Sequence, residues 1–103
     1  KVHHYLQAKQ LDLKIEVETR DLDDVKEVLQ YGGVNRIMLD NFTPEKVREA
    51  VSLINGRFET EASGGITLNT IRSFAETGVD FISVGALTHS VRSLDLSLKA
   101  EIH

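Results

Sequence analysis

Two periods of apolar and polar residues alternate along this chain. Residues 14–18, 36–40, 57–62 and 80–85 are short runs rich in β-branched or aromatic side chains, and they begin 22, 21 and 23 residues apart. Runs of this length and composition predict strands, and their near-constant spacing predicts a repeat. Between them the apolar positions recur every three or four residues. Leu22, Val25, Val28 and Leu29 share one face, as do Val47, Ala50, Val51 and Ile54, and then Leu68, Ile71, Phe74 and Ala75. That spacing predicts three amphipathic helices. Asp21, followed by Asp23 and Asp24, suits a helix start, as does Thr43 before Pro44, and Thr67 is the expected cap of the third helix. Gly32, Gly56 and Gly78 stand where the helices should stop. The opening stretch Lys1-Val2-His3-His4-Tyr5-Leu6 reads as the middle of a further helix, and residues 94–99 alternate like a last strand.

The predicted order is (α)βαβαβαβ, which calls for a parallel sheet covered by helices. An open doubly wound sheet and a barrel both satisfy it. The strands favour the barrel, because strands buried on both faces are apolar throughout. Here Ile15 and Val17 alternate with Glu16 and Glu18, Phe58 with Glu59 and Glu61, and Ile37 and Leu39 with Met38 and Asp40. One face packs on helices while the other carries acids toward a polar mouth; a solvated sheet face is the plainer alternative. The expected fold class is α/β: a partial parallel βα barrel of four βα units, about half of a full barrel, plus a C-terminal strand-like segment. Four units leave two open edges, so pairing with a second copy or completion by further barrel strands is expected. With no initiator methionine at Lys1, the 103 residues read either as part of something larger or as a renumbered or processed small protein.

Composition narrows the function. A net charge of −4 argues against a nucleic-acid surface, and the absence of cysteine removes disulfides, thiolate metal sites and cysteine nucleophiles. There is no run of 18 apolar residues and no secretory signal pattern, so no membrane association and a cytoplasmic location are expected.

In βα barrels the chemistry sits at the carboxyl ends of the strands. Two acids, Glu18 and Asp40, end neighbouring strands. Such a pair can hold Mg²⁺ through water, accept sugar hydroxyls or stabilise a developing cation, or it can be two solvated strand-end acids. The next two strand ends carry glycine turns, Ser63-Gly64-Gly65 and Val84-Gly85-Ala86, the second running on through Leu87 and Thr88 to His89 and Ser90. Glycine lets backbone N–H groups approach an anion, and a following helix start adds partial positive charge, so both turns are candidate phosphate sites. His89 could touch that phosphate or fix its own loop. Glu16, Glu59 and Glu61 are weaker candidates that need cations to offset their repulsion, and Arg20 is the one cation near the strand ends. Adjacent His3 and His4 point apart on a helix and do not suit a joint metal site.

Taken in order, Lys14-Ile15-Glu16-Val17-Glu18, Ile37-Met38-Leu39-Asp40-Asn41, Glu61-Ala62-Ser63-Gly64-Gly65-Ile66-Thr67 and Val84-Gly85-Ala86-Leu87-Thr88-His89-Ser90 resemble the quinolinate phosphoribosyltransferase family. The resemblance implies an enzyme of NAD biosynthesis, a pentosyltransferase, that joins quinolinate to phosphoribosyl pyrophosphate with Mg²⁺ and releases pyrophosphate and CO₂. It implies that residues 1–103 are the C-terminal part of an incomplete α/β barrel whose upstream strands and preceding sandwich domain lie elsewhere, in a homodimer or higher homo-oligomer. It gives Glu18 and Asp40 the ribose or water-bridged Mg²⁺, and Ser63, Gly64, Gly65, Val84, Gly85 and Ala86 the phosphate. The cations that the family uses to bind quinolinate and pyrophosphate have no counterpart here, so the isolated chain is expected to be inactive. Another phosphate-binding barrel enzyme and a non-catalytic half-barrel are the rival readings; the first would need a strand-end base such as lysine, and none is evident.

Overall fold

A computed structural model describes residues 6–9 and 14–93 of the chain. The elements run β1 Leu6–Lys9, β2 Lys14–Thr19, α1 Leu22–Tyr31, β3 Arg36–Asp40, α2 Pro44–Ile54, β4 Glu59–Ser63, α3 Ile71–Ala75, β5 Phe81–Val84 and β6 Leu87–Ser90. They build one six-stranded sheet in sequential order. Strands β2 to β5 are parallel neighbours, as the repeat predicts, while β1 and β6 run antiparallel at the two edges.

The side-chain alternation along each parallel strand places the core. Val17, Ile37, Leu39, Ala62 and Ile82 are buried with Val25 and Val28 of α1, Val47, Ala50 and Ile54 of α2, and Ile71 and Phe74 of α3 in a single apolar cluster. One core means one helical layer; a doubly wound sheet would carry two. The opposite face holds Glu16, Glu18, Arg36, Met38, Asp40, Glu59, Glu61 and Ser63, paired across the strands as Glu16 with Arg36, Glu18 with Met38, Arg36 with Glu59 and Asp40 with Ser63. A parallel sheet with helices on one face and a polar opposite face that does not close is a partial βα barrel.

Local chemistry fixes the helix ends. The Asp21 carboxylate accepts from the Asp24 N–H at 2.8 Å, and Asp24 accepts from the Arg20 N–H at 3.0 Å. Thr43 accepts from the Lys46 N–H at 3.2 Å, with Pro44 in the first turn. Arg57 donates to the Leu29 carbonyl at 3.0 Å, covering a free acceptor at the end of α1.

The sequence expectations differ from the structure in four places. Leu6 opens a strand where the opening stretch reads as the middle of a helix; residues 1–5 and the alternation at 94–99 lie outside the described residues. The third helix starts later, after Thr70 and not Thr67, because the two threonines bond each other in a tight turn, the Thr67 N–H donating to Thr70 Oγ1 at 3.1 Å. Leu68 is consequently exposed and does not join the helix face. The segment after β5 does not run into a helix: it folds straight back as β6, and helical backbone begins only at Val91. Among the described residues no helix is long and apolar enough to cross a membrane.

Candidate active site

The carboxyl ends of β2, β3 and β4 meet on the polar face. Thr19, fully buried, ties the first two together by donating its hydroxyl to the Met38 carbonyl at 2.8 Å. Glu18 and Asp40 then lie side by side, close enough for each carboxyl to feel the other. Burial first, and then the neighbouring Asp40 carboxyl, raise the Glu18 pKa above its ordinary 4.5, and Arg20 pulls the other way. Arg20 pulls weakly, since its Nε stands 3.9 Å from the Glu18 carboxylate and its side chain is 59% exposed. Two carboxyls held together at a strand-end mouth can receive positive charge.

The β4 end closes against this pair. Ser63 donates its hydroxyl to Asp40 Oδ1 at 3.5 Å, and the Asn41 N–H donates to the Ser63 carbonyl at 2.8 Å. Asn41 reaches that bond from a left-handed conformation, φ 64°. Gly64 approaches so closely that a Cβ there would stand 2.8 Å from the Asn41 nitrogen and 2.8 Å from Asp40 Oδ1. Here the glycine serves contact between two protein loops. Gly65 follows at φ 71°, and Ile66 is buried, anchoring the loop in the core. Ser63, Gly64 and Gly65 thus stand beside Glu18 and Asp40 in one mouth.

The second glycine turn is built differently. Gly85 and Ala86 form the exposed two-residue turn of the β5–β6 hairpin, with Val84 opposite Leu87. The left-handed φ of 63° at Gly85 is what such tight hairpins need at their first position. Val84 packs against the core, so only its backbone is available to a ligand. His89 lies opposite Ile82, and Thr88 opposite Ser83. Paired residues share a face and neighbours alternate. His89 therefore falls on the Ile82 side of the sheet, away from Ser83 and Thr88, and the structure does not bring it to the carboxylate pair.

Sequence reasoning missed the interior cation. Arg36, on the acid face at the start of β3, binds Glu59 Oε1 at 3.1 Å and Glu61 Oε1 at 3.2 Å. The signal was present: Arg36 has the same parity as Met38 and Asp40, so it is the one cation on the acidic side of that strand. Among the described residues no three His, Cys, Asp or Glu side chains gather as a metal cage. Two hard carboxylate donors suit Mg²⁺, which keeps several waters and needs only one or two carboxylates beside a substrate phosphate.

Comparison with known proteins follows the geometry. Residues 2–99 match the family model described as quinolinate phosphoribosyl transferase, C-terminal domain. The chain is 50% identical to the chloroplastic nicotinate-nucleotide pyrophosphorylase (carboxylating) of Arabidopsis thaliana, covering 97% of this chain and 33% of that protein. It is 47% identical to the mitochondrial quinolinate phosphoribosyltransferase (decarboxylating) 2 of Nicotiana glauca, over 97% of this chain and 32% of the relative. Its fold is similar to the nicotinate-nucleotide pyrophosphorylase structure from Francisella tularensis, with a TM-score of 0.66 and 37% identity over 79% of this chain and 30% of that one. The chain spans about a third of the length of the curated relatives it matches.

Proposed function

The chain belongs to the quinolinate phosphoribosyltransferase family through its C-terminal domain, and from that premise we propose that the intact protein converts quinolinate and phosphoribosyl pyrophosphate to nicotinate mononucleotide, pyrophosphate and CO₂. The observation that supports this most is the meeting of Glu18, Asp40 and the Ser63–Gly65 turn at one strand-end mouth. When the pyridine nitrogen displaces pyrophosphate, positive charge develops on the ribose. Glu18 and Asp40 face that charge with anionic oxygens in a fixed position, which lowers the barrier more than it tightens the ground state. The same oxygens accept ribose hydroxyls. Ser63, Gly64 and Gly65 form the near wall of the mouth, and the backbone of Gly85 and Ala86 offers exposed N–H groups to the phosphate of the product nucleotide. His89 is left out of this site.

Mg²⁺ is the proposed cofactor, held through Glu18 and Asp40, and when bound it neutralises charge on the leaving pyrophosphate. Cations that clamp the two quinolinate carboxylates and the pyrophosphate are assigned to parts of the protein outside these 103 residues, which makes the chain the ribose–phosphate half of a site. A homodimer or larger homo-oligomer is proposed on the same footing. The cytoplasm is the proposed location, with a plastid as alternative because the Arabidopsis relative is named chloroplastic.

The full-length protein, given quinolinate, phosphoribosyl pyrophosphate and Mg²⁺, is expected to form nicotinate mononucleotide. Asp40→Ala should lower kcat by about 10²–10³-fold with the KM for quinolinate nearly unchanged. Failure of the wild-type protein to use quinolinate, or a wild-type kcat in Asp40→Ala, would reject the proposal.

A further inference from the structure

A second set of contacts crosses the polar face beneath the mouth. Arg36, with a side chain 13% exposed, donates from Nη1 to Glu61 Oε1 at 3.2 Å and from Nε and Nη2 to Glu59 Oε1 at 3.2 and 3.1 Å. Its guanidinium carbon stands 3.7 Å from the Phe81 ring centroid, so the cation is stacked as well as paired. Glu61 is 2% exposed. Its other oxygen, Oε2, accepts from Ser83 Oγ at 2.6 Å and from Thr88 Oγ1 at 3.4 Å, and the two hydroxyls are 2.9 Å apart.

Ser83 and Thr88 are directly opposed across the β5–β6 hairpin, one residue outside the pair that flanks the Gly85–Ala86 turn. At that end Val84 packs against the core on the other face of the ribbon, while Leu87 is 64% exposed and the turn itself is exposed, so on the polar face Glu61 is the buried partner of the ribbon. A buried carboxylate that is charge-paired on one oxygen and receives hydroxyl donors on the other is a strong, directional anchor. Without Arg36 the same carboxylate would be costly to keep charged. Glu61 is thus held by β3 and holds both strands of the hairpin beside their turn.

We propose that Glu61 is a positioning residue for the Gly85–Ala86 turn, acting through Ser83 and Thr88 and fixed by Arg36, so that the turn's backbone donors are set for a phosphate before it arrives. This rests on the reading that the turn takes the phosphoribosyl phosphate. Holding donors in place beforehand removes an ordering cost that a loose ribbon would meet on binding, so the effect belongs to the phosphate-bearing substrate alone.

The test uses the full-length protein with four variants: Glu61→Ala, Glu61→Gln, the double variant Ser83→Ala with Thr88→Val, and Gly85→Val as the reference for phosphate contact. Glu61→Ala is expected to raise the KM for phosphoribosyl pyrophosphate by about 10-fold or more, the usual scale for losing an outer-shell partner, and to leave the KM for quinolinate unchanged. Glu61→Gln, which keeps an acceptor but loses the charge, should recover part of that loss. The Ser83/Thr88 double variant should reproduce most of it and add nothing on top of Glu61→Ala, because all three act through one contact. Should Glu61→Ala fail to fold, the Ser83/Thr88 pair tests the same tether on the partly exposed ribbon. A rise in both KM values together would mark Glu61 as merely structural and overturn the proposal. An unchanged KM for phosphoribosyl pyrophosphate in the Glu61 and Ser83/Thr88 variants, with Gly85→Val raising it, would overturn the tether while the phosphate reading survives. A silent Gly85→Val would remove the phosphate reading and the tether with it.

Discussion

Gly64→Ala is the sharpest single perturbation the structure offers. One methyl group is added at φ 91°, and it arrives 2.8 Å from the Asn41 backbone nitrogen, 2.8 Å from Asp40 Oδ1 and 3.0 Å from Asn41 Oδ1. Two costs add. Holding a non-glycine residue at left-handed φ costs about 1–2 kcal/mol, and forcing a methyl into occupied space costs about 1–3 kcal/mol. The sum is about 2–5 kcal/mol. The backbone nitrogen is pinned by its bond to the Ser63 carbonyl, so the Asp40 carboxylate is what gives way. Gly85→Ala is the control: its φ of 63° brings the same backbone cost, but nothing lies within 4 Å of the added carbon. Urea denaturation of the full-length protein should therefore show Gly64→Ala losing more stability than Gly85→Ala by about 1–3 kcal/mol. Steady-state kinetics should show Gly64→Ala lowering kcat as Asp40 is displaced, where a residue that only lined a phosphate would raise KM. Equal stability losses in the two variants, with kcat intact in Gly64→Ala, would refute the packing argument.

Two further outcomes follow from the contacts described. Because the Glu18 pKa is raised above 4.5, the folded protein holds that proton to a higher pH than the unfolded chain, so stability falls as pH rises through the window above 4.5 and the loss persists at neutral pH. Glu18→Gln should then raise the urea midpoint at neutral pH, give no gain below the ordinary carboxylate range and still lower kcat; an unchanged or lower midpoint at neutral pH would contradict the assigned electrostatics. Asp80→Ala removes the acceptor that binds the Thr60 N–H at 2.9 Å and its hydroxyl at 3.1 Å, so it should destabilise by about 1–3 kcal/mol in the same denaturation assay with kcat unaltered.

Much of the architecture could be read from periodicity because each parallel strand and its helix carry their own signal. Val17, Ile37, Leu39 and Ile82 announce a buried face, and Asp21 and Thr43-Pro44 announce helix starts. The edges were less legible. Residues 84–90 carry a glycine turn that serves equally well for a strand-to-helix loop or a two-residue hairpin, and only the pairing of Ser83 with Thr88 decides between them. The pairing of Arg36 with Glu59 and Glu61 depends likewise on register, since a slip of one residue would turn those side chains to opposite faces. The candidate site divides along the same line. Glu18, Asp40 and Ser63 follow from the strand-end rule, whereas the steric role of Gly64 depends on the left-handed turn at Asn41, which no composition or spacing announces.

The contact between Asn41 and Gly64 also bears on how this scaffold can diversify. Barrel enzymes acquire new chemistries largely because each strand-end loop can be exchanged while its neighbours stay as they are. Here the loop after β3 and the loop after β4 fit together with no room for a methyl group between them. Grafting either loop alone would bring in a Cβ or remove the left-handed turn that receives it. For recombination or laboratory evolution, residues 40–42 and 63–65 are one exchangeable cassette, and libraries that shuffle them together should yield far more folded members than libraries that shuffle them apart.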